Sequence, residues 1–502
     1  MAGDRPSPGD GGGPGGGSDA GPDGSAAPGD PTRAGRWTAP TDPLSPHLLP
    51  SSAATNAAGH LTIGGVDLVE LAEEHGTPLF VYDEDHPRAR CREAVTSWGD
   101  GVAYATKAFL CLAMARLAYE EGMVLDVATG GELHVALAAG VPAERIVLHG
   151  NNKSDAELAA ALAVGVGRIV VDSFDELDRI DRLMRAGFGD VGPDGAESRR
   201  PAPPRVLARI TPGIEAHTHE FVRTGQDDTK FGFGVASGAA DAAVDRLEDM
   251  DAAGTVRFVG LHAHIGSQVF ASESFAAEVE VLATYANPLG LPELVVGGGL
   301  GVPYVNGETA PTIAEWAATV RAACVRAGVP SSVRVTAEPG RSIAATAGVT
   351  LYTVGTIKDV AGHRTYVSVD GGMSDNPRPV LYGSGYEAFL PRSPWAPRPR
   401  PVRVVGKHCE SGDIVVADGR VPEDLAVGDV LATPVTGAYG HAMASNYNKV
   451  PRPAVVFVSG GRTRTVVRRE TFDDLVRLDV PPPGAPGRSA TPGDPAGGSV
   501  TG

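Results

Sequence analysis

Between residues 101 and 341 short apolar runs alternate with longer stretches of helical periodicity. The runs are GVAYAT (101–106), MVLDVA (123–128), RIVLHG (145–150), RIVVDS (168–173), RVLARIT (205–211), VRFVGLHAH (256–264), ELVVGG (293–298) and VRVTAEP (333–339). Each is brief and rich in Val and Ile, whose branched side chains suit a pleated surface better than a helix. Between them apolar residues recur at three- and four-residue spacing, as in LCLAMARLAYEEG (110–122), the stretch 154–165 and TIAEWAATVRAACVRAG (312–328). That is the signature of amphipathic helices. Eight strands, each followed by a helical pattern, predict an α/β architecture closed as a (β/α)8 TIM-type barrel rather than an open doubly wound sheet. The span is also close to the roughly 250 residues such barrels occupy.

After Ile343 the rhythm changes. GVTLYTVGTIKDV (348–360), RTYVSVDGG (364–372), PVRVVGKHC (401–409), GDIVVAD (412–418), GDVLATPVTGAY (428–439) and AVVFVSGGRTRTVVRRE (454–470) are strands separated by Gly, Asp and Pro turns. They predict an all-β C-terminal domain. The segment 61–83 precedes the barrel and is expected to join it. The predicted domains are therefore a barrel over 84–342 and a β domain built from 46–83 and 343–480. Residues 1–45, the patch GDVGPDGAESRRPAPP (189–204) and the tail 481–502 are dominated by Gly, Pro, Ser and charged residues. They hold too little apolar surface to offset chain entropy and are expected to be disordered.

Composition narrows the function. The 502 residues carry a formal charge of -18, which argues against a nucleic-acid partner, because phosphate binding needs a basic surface. No apolar run approaches the ~20 residues that span a bilayer, and the N-terminus lacks the basic-then-apolar order of a signal peptide. The four cysteines, Cys91, Cys111, Cys324 and Cys409, stand far apart and form no C-x-x-C pair. A soluble cytoplasmic protein without membrane partner, disulfide framework or zinc knuckle is expected.

A barrel's active site lies at the carboxyl ends of its strands, and reactive residues gather there. Lys107 follows the first predicted strand, Asp126 and His149 end the second and third, and Asp172 ends the fourth. Arg209 lies late in the fifth, His262 and His264 end the sixth, GGGLG (297–301) follows the seventh and EPGR (338–341) the eighth. Lys107 is either a surface lysine reaching for water or an amine whose charge is disfavoured by an enclosed site, free to attack a carbonyl. GGGLG is either a turn or an anion cradle in the loop where barrels often hold phosphate. EPGR is an ion pair at a helix start or part of a site. In HAHIGSQ (262–268) the alternate imidazoles could ligate a metal or stack on a planar ligand. We expect no metal.

The ordered set YATKAFLC (104–111), HAHIGSQ, GGGLG, EPGR, RPVLY (378–382), CESGD (409–413) and GAY (437–439) resembles the diaminopimelate decarboxylase family, pyridoxal-phosphate enzymes with an alanine-racemase-like barrel. The resemblance runs from about residue 47 to 478. It implies that Lys107 carries pyridoxal 5'-phosphate, that His264 lies against its ring and that Glu338 sits beside the pyridine nitrogen. Ser267, Gly298, Gly299, Gly340 and Tyr439 would contact or surround the phosphate. Arg341, which would also touch the cofactor, would bind the amino-acid substrate with Arg378, Tyr382, Tyr439 and Glu410, and Cys409 and Glu410 would enter from the second subunit of a homodimer. Cys409 is the implied proton donor, with Lys107 and His264 completing the catalytic set. The implied reaction is decarboxylation of meso-2,6-diaminopimelate to L-lysine. The rivals are a same-fold decarboxylase of ornithine, arginine or a carrier-bound amino acid, and a catalytically silent regulator. Many family members carry Asn where this chain has Phe109.

Overall fold

The structure, a computed structural model, describes residues 42–186, 202–214, 228–480 and 482. The expectations for 1–41, for most of 189–204 and for nearly all of 481–502 fall outside the described residues.

Eight parallel strands run in chain order around a barrel: β1 (Ala103–Ala105), β2 (Val124–Val127), β3 (Ile146–Leu148), β4 (Arg168–Val171), β5 (Arg205–Thr211), β6 (Arg257–His262), β7 (Glu293–Val295) and β8 (Arg334–Thr336). Beyond β8 the backbone meets β1, where Ala103 N donates to Ala337 O at 3.0 Å and Ala105 N to Pro339 O at 3.2 Å. The predicted runs overshoot most strands by one to three residues at the carboxyl end. There the chain turns into loops: His149, Asp172 and His264 stand in that overshoot, and Lys107 follows directly on it. Ala103, Val124, Val147, Val170, Leu207 and Val295 form one buried cluster across six strands. Inward-facing side chains of this kind fill a barrel, so a ligand meets it only at an end.

Between strands, local chemistry sets the helices. Ser154 and Thr312 each accept from the backbone N–H three residues on, while Glu157 and Glu315 reach back to the cap. These capping boxes start the helices Asp155–Val164 and Ile313–Arg326 by satisfying otherwise unpaired donors.

The second domain is a mixed sheet in the order Ile414–Val421, Arg400–Val405, Arg364–Val369, Gly348–Val360, Leu79–Asp83, Ala454–Ser459, Arg462–Val467, with Val430–Pro434 also on Gly348–Val360. The N-terminal strand Leu79–Asp83 lies inside it, antiparallel to Gly348–Leu351 and parallel to Ala454–Val458. All five of its residues are buried. That explains the unbroken apolar run of its first four residues, Leu79–Tyr82, since a strand covered on both faces has no polar side. Phe109, the departure noted in the sequence, is buried and stacks on Tyr82 of this strand with centroids 4.5 Å apart. It ties the loop after β1 to the β domain.

Candidate active site

Lys107 stands on a single 3-10 turn, Thr106–Ala108, directly after β1. Thr106 Oγ1 donates to Asp126 O at 2.8 Å and anchors the turn to β2. Its neighbours Thr106 and Ala108 are buried, but Lys107 itself is exposed. The expected enclosure that disfavours its charge is therefore not supplied by the described residues. The amine projects into an open mouth, with Asp126 and His264 among the groups whose titration it influences.

Two loops hold each other beside it. Gln268 accepts from Val302 N and donates to Val302 O, both at 3.0 Å, locking HAHIGSQ to GGGLG. Glycine is obligatory in this contact. A Cβ on Gly298 would lie 2.2 Å from Glu338 O, and one on Gly299, at φ +111°, 2.1 Å from Gly266 O. The result is a strip of bare backbone, the form suited to an anion's close approach. Gly298 N donates to His264 Nδ1 at 3.2 Å. Burial, with the charges of Lys107 and Arg209 adding, pushes His264 well below its ordinary pKa. It is neutral, and with Nδ1 accepting, its proton sits on Nε2.

Glu338 is buried between two imidazoles, with His262 Nε2 2.9 Å from one carboxylate oxygen and His149 Nε2 2.9 Å from the other. Burial alone would raise its pKa, but the two histidines outweigh burial and hold it well below the carboxylate range. The same field holds His149 up: burial lowers it, and Asp126 and Glu338 more than compensate. Burial takes His262 down to about 4, so at neutral pH His262 is neutral, while His149 is the imidazole of the two whose charged form its acidic neighbours favour. The ligand atoms of His149, His262 and Glu338 lie within 4.8 Å of one another. His262 Nε2 is hydrogen-bonded to the carboxylate and His149 Nε2 stands 2.9 Å from its other oxygen, and the arrangement works as a clamp that keeps Glu338 ionised. The alternating pair His262 and His264 is split: one clamps Glu338, the other meets the glycine loop.

Arg341 does not pair with Glu338, so the ion-pair reading of EPGR is wrong. The two side chains serve separate networks. Arg341 Nη1 donates to Tyr304 Oη and Nη2 to Ser267 Oγ, both at 2.7 Å, while its guanidinium lies 4.7 Å from the ring centre of Tyr439. Tyr439 takes a left-handed backbone, φ 60°, and its N–H donates to Ala108 O at 2.8 Å, next to Lys107. Such a conformation is costly for a bulky residue and is found where surroundings enforce it. Gly340 is packed against Ala105, where a Cβ would sit 3.0 Å from that side chain. Arg378 stacks 4.4 Å from the Tyr304 ring centre and donates Nη1 to Tyr386 Oη at 2.8 Å.

Lys107, His264, Ser267, Gly298, Gly299, Glu338, Gly340, Arg341, Arg378 and Tyr439 are thus linked around one mouth. Tyr382 ends the short helix Arg378–Tyr382 half-buried, and among the described residues no side-chain hydrogen bond or ring contact joins it to these groups. Cys409 and Glu410 lie exposed on a turn of the β domain. Buried Asp413 accepts from His408 N at 2.8 Å and Asn448 accepts from Cys409 N at 3.3 Å. Among the described residues no contact joins them to the mouth. Tyr304 and Tyr386 were missed in the sequence, as was the histidine clamp.

The residues fit pyridoxal phosphate on two counts: a side-chain-free cradle at Gly298 and Gly299, and a carboxylate held ionised where a protonated ring nitrogen needs one.

A family model described as the pyridoxal binding domain of pyridoxal-dependent decarboxylases matches residues 86–345. A diaminopimelate decarboxylase of Mycobacterium tuberculosis is 48% identical over 457 residues, covering 87% of this chain and 98% of its own. One of Bacillus subtilis is 43% identical over 451 residues, covering 86% and 98%. The crystal structure of diaminopimelate decarboxylase from M. jannaschii in complex with L-lysine is 32% identical with a TM-score of 0.76, covering 86% of this chain and 98% of that one.

Proposed function

The chain belongs to the diaminopimelate decarboxylase family, and we propose that its barrel mouth is where this family's reaction is carried out. That reaction is the pyridoxal-phosphate-dependent decarboxylation of meso-2,6-diaminopimelate to L-lysine and carbon dioxide, the last step of lysine biosynthesis. When bound, the cofactor supplies an electron sink for the pair left on the α-carbon as carbon dioxide departs.

The chain's own residues do the rest. Lys107 Nζ, directly after β1, would hold the cofactor through its carbonyl carbon. Ser267, Gly298, Gly299, Gly340 and Tyr439 would surround its phosphate. Neutral His264 would lie against the ring, and ionised Glu338 would favour a proton on the ring nitrogen. Arg341, Arg378 and Tyr382 bind the substrate, guanidinium forks meeting carboxylate oxygens. Cys409 delivers a proton to the α-carbon, with Glu410 beside it, both from the partner of a homodimer. Their exposure on a β-domain turn supports that placement. Four free thiols, one of them exposed, suit a reducing, cytoplasmic compartment.

One observation carries this reading: the chain of contacts Ser267–Arg341–Tyr304–Arg378–Tyr386. It couples a phosphate-side residue to an arginine facing the substrate's far end. Ornithine and arginine bring only a cation there, which Arg378 repels, whereas diaminopimelate brings a carboxylate. The test is carbon dioxide release from meso-diaminopimelate, lysine, ornithine and arginine with added cofactor. Release from diaminopimelate alone, with lysine as product, is expected. Release from ornithine or arginine instead would overturn the assignment of Arg378.

A further inference from the structure

The end of the barrel away from Lys107 carries a pattern that decarboxylation does not use. Arg145 immediately precedes β3, and arginine opens β4 (Arg168), β5 (Arg205), β6 (Arg257) and β8 (Arg334). Glutamate, Glu293, opens β7. The strand register sets them at one level, with Arg257 opposite Arg205 and Glu293 opposite Arg334. A chain with a formal charge of -18 thus gathers five guanidinium groups at one end of its barrel.

The charges there do not balance. Glu293 is 3% exposed and accepts from Arg168 Nη2 at 2.9 Å, while Arg205 Nη2 and Arg334 Nη2 lie 2.6 and 2.5 Å from the same oxygen. Three guanidinium ions share one carboxylate. Arg145 is paired with Asp100 at 2.7 Å. Glu144 lies at the rim, exposed, with no ion pair among the described residues. A cleft of about 500 Å³ opens onto this group, lined by Arg145, Arg168, Arg205 and Arg334 together with Asp100 and Glu144. Like charges crowded in a cleft of low polarisability focus a positive potential on whatever enters.

We propose that this cleft is a second ligand site, taking a compact oxyanion with two negative charges, of the phosphate or dicarboxylate class, against Arg168, Arg205 and Arg334. Arg168 spends its Nε and Nη2 on Glu293, but Arg205 and Arg334 each touch it through Nη2 only, so their remaining N–H groups can meet such oxygens. The bound anion supplies the counter-charge that Glu293 alone cannot. The site is independent of how the opposite mouth works.

The experiment uses the full chain saturated with pyridoxal phosphate, so that the cofactor's own phosphate position is filled. It is titrated calorimetrically with inorganic phosphate and, in parallel, with malonate, sodium chloride holding ionic strength constant. One saturable site is expected for at least one probe, and the tighter probe identifies the ligand class. Binding should weaken about ten-fold or more in Arg205→Gln and in Arg334→Gln, and stay unchanged in Arg182→Gln on an outer helix. Arg205 is 51% exposed, so its substitution leaves the fold intact and decides the matter even if Arg334→Gln is unstable. No saturable binding of either probe, or binding equally strong in Arg205→Gln, would overturn the proposal and leave the ring as an ion-pair lock on the strands.

Discussion

Glu338 illustrates how much one side chain depends on its neighbours. An isolated buried carboxyl would take up a proton and lose the charge that a pyridinium nitrogen requires. His149 and His262 prevent this from either side. Replacing Glu338 with Gln keeps the shape and removes the charge. We expect kcat to fall about 10-fold or more, because the electron sink loses its protonated nitrogen, while cofactor absorbance shows that binding persists. A variant with wild-type kcat would deny Glu338 its role. Arg378 makes a complementary case, because its value lies in the fork rather than in the charge. Arg378→Lys should raise KM for diaminopimelate by about ten-fold, the cost of one charge-assisted bond, and change kcat little. An unchanged KM would remove Arg378 from the substrate site. Both residues were legible in the sequence as members of ordered motifs. Tyr304 and Tyr386 were not: an aromatic ring beside an arginine is made by two loops meeting in space, and nothing in their spacing announces it.

At the level of elements, periodicity located the barrel strands because each is a short, β-branched run closed by a polar residue. It misjudged where they stop, since the polar residues that end each pattern belong to the loops that use them. The helix Ser272–Leu289 holds a different lesson. Phe275, Val279 and Leu282 mark its buried face, and Glu278 lies on the same face, fully buried, with no partner for either oxygen among the described residues. Burial, with the charge of Glu338 adding and Arg209 opposing, raises its pKa well above 4.5. The folded state therefore keeps a proton that the unfolded chain releases once pH passes about 4.5. Its contribution to stability is full below that value and is lost as pH climbs toward the raised pKa, at about 1.4 kcal/mol per pH unit. Glu278→Gln removes the titration. Its melting temperature should match the wild type near pH 4.5 and exceed it increasingly toward alkaline pH. Parallel melting curves across that range would show that Glu278 is not the buried acid described.

On the scale of the whole molecule, two architectures meet where the inserted strand Leu79–Asp83 and Phe109 join them. The sequence announced both architectures through the change of rhythm after Ile343, and the insertion could be expected from the wholly apolar run LFVY. What a single chain cannot announce is which of its surfaces complete another's site. Cys409 and Glu410 hang exposed from the β domain, on a turn fixed by Asp413 and Asn448, apart from the Lys107 they are proposed to serve. An exposed turn carrying a free thiol makes sense if a second copy receives it. In a twofold dimer each mouth would then draw Lys107 from one chain and Cys409 from the other. Lys107→Ala and Cys409→Ala should each be nearly inactive alone. Mixed and allowed to exchange, they would form hybrids in which one mouth keeps both groups and the other keeps neither. With random pairing half the dimers are hybrids, so activity should recover to about a quarter of wild type. A site contained within one chain gives no recovery however completely the subunits exchange, and exchange can be followed separately by mass difference in a tagged partner. Recovery near that fraction would assign Cys409 to the neighbouring mouth; inactivity with demonstrated hybrids would return the proton donor to the chain that holds Lys107.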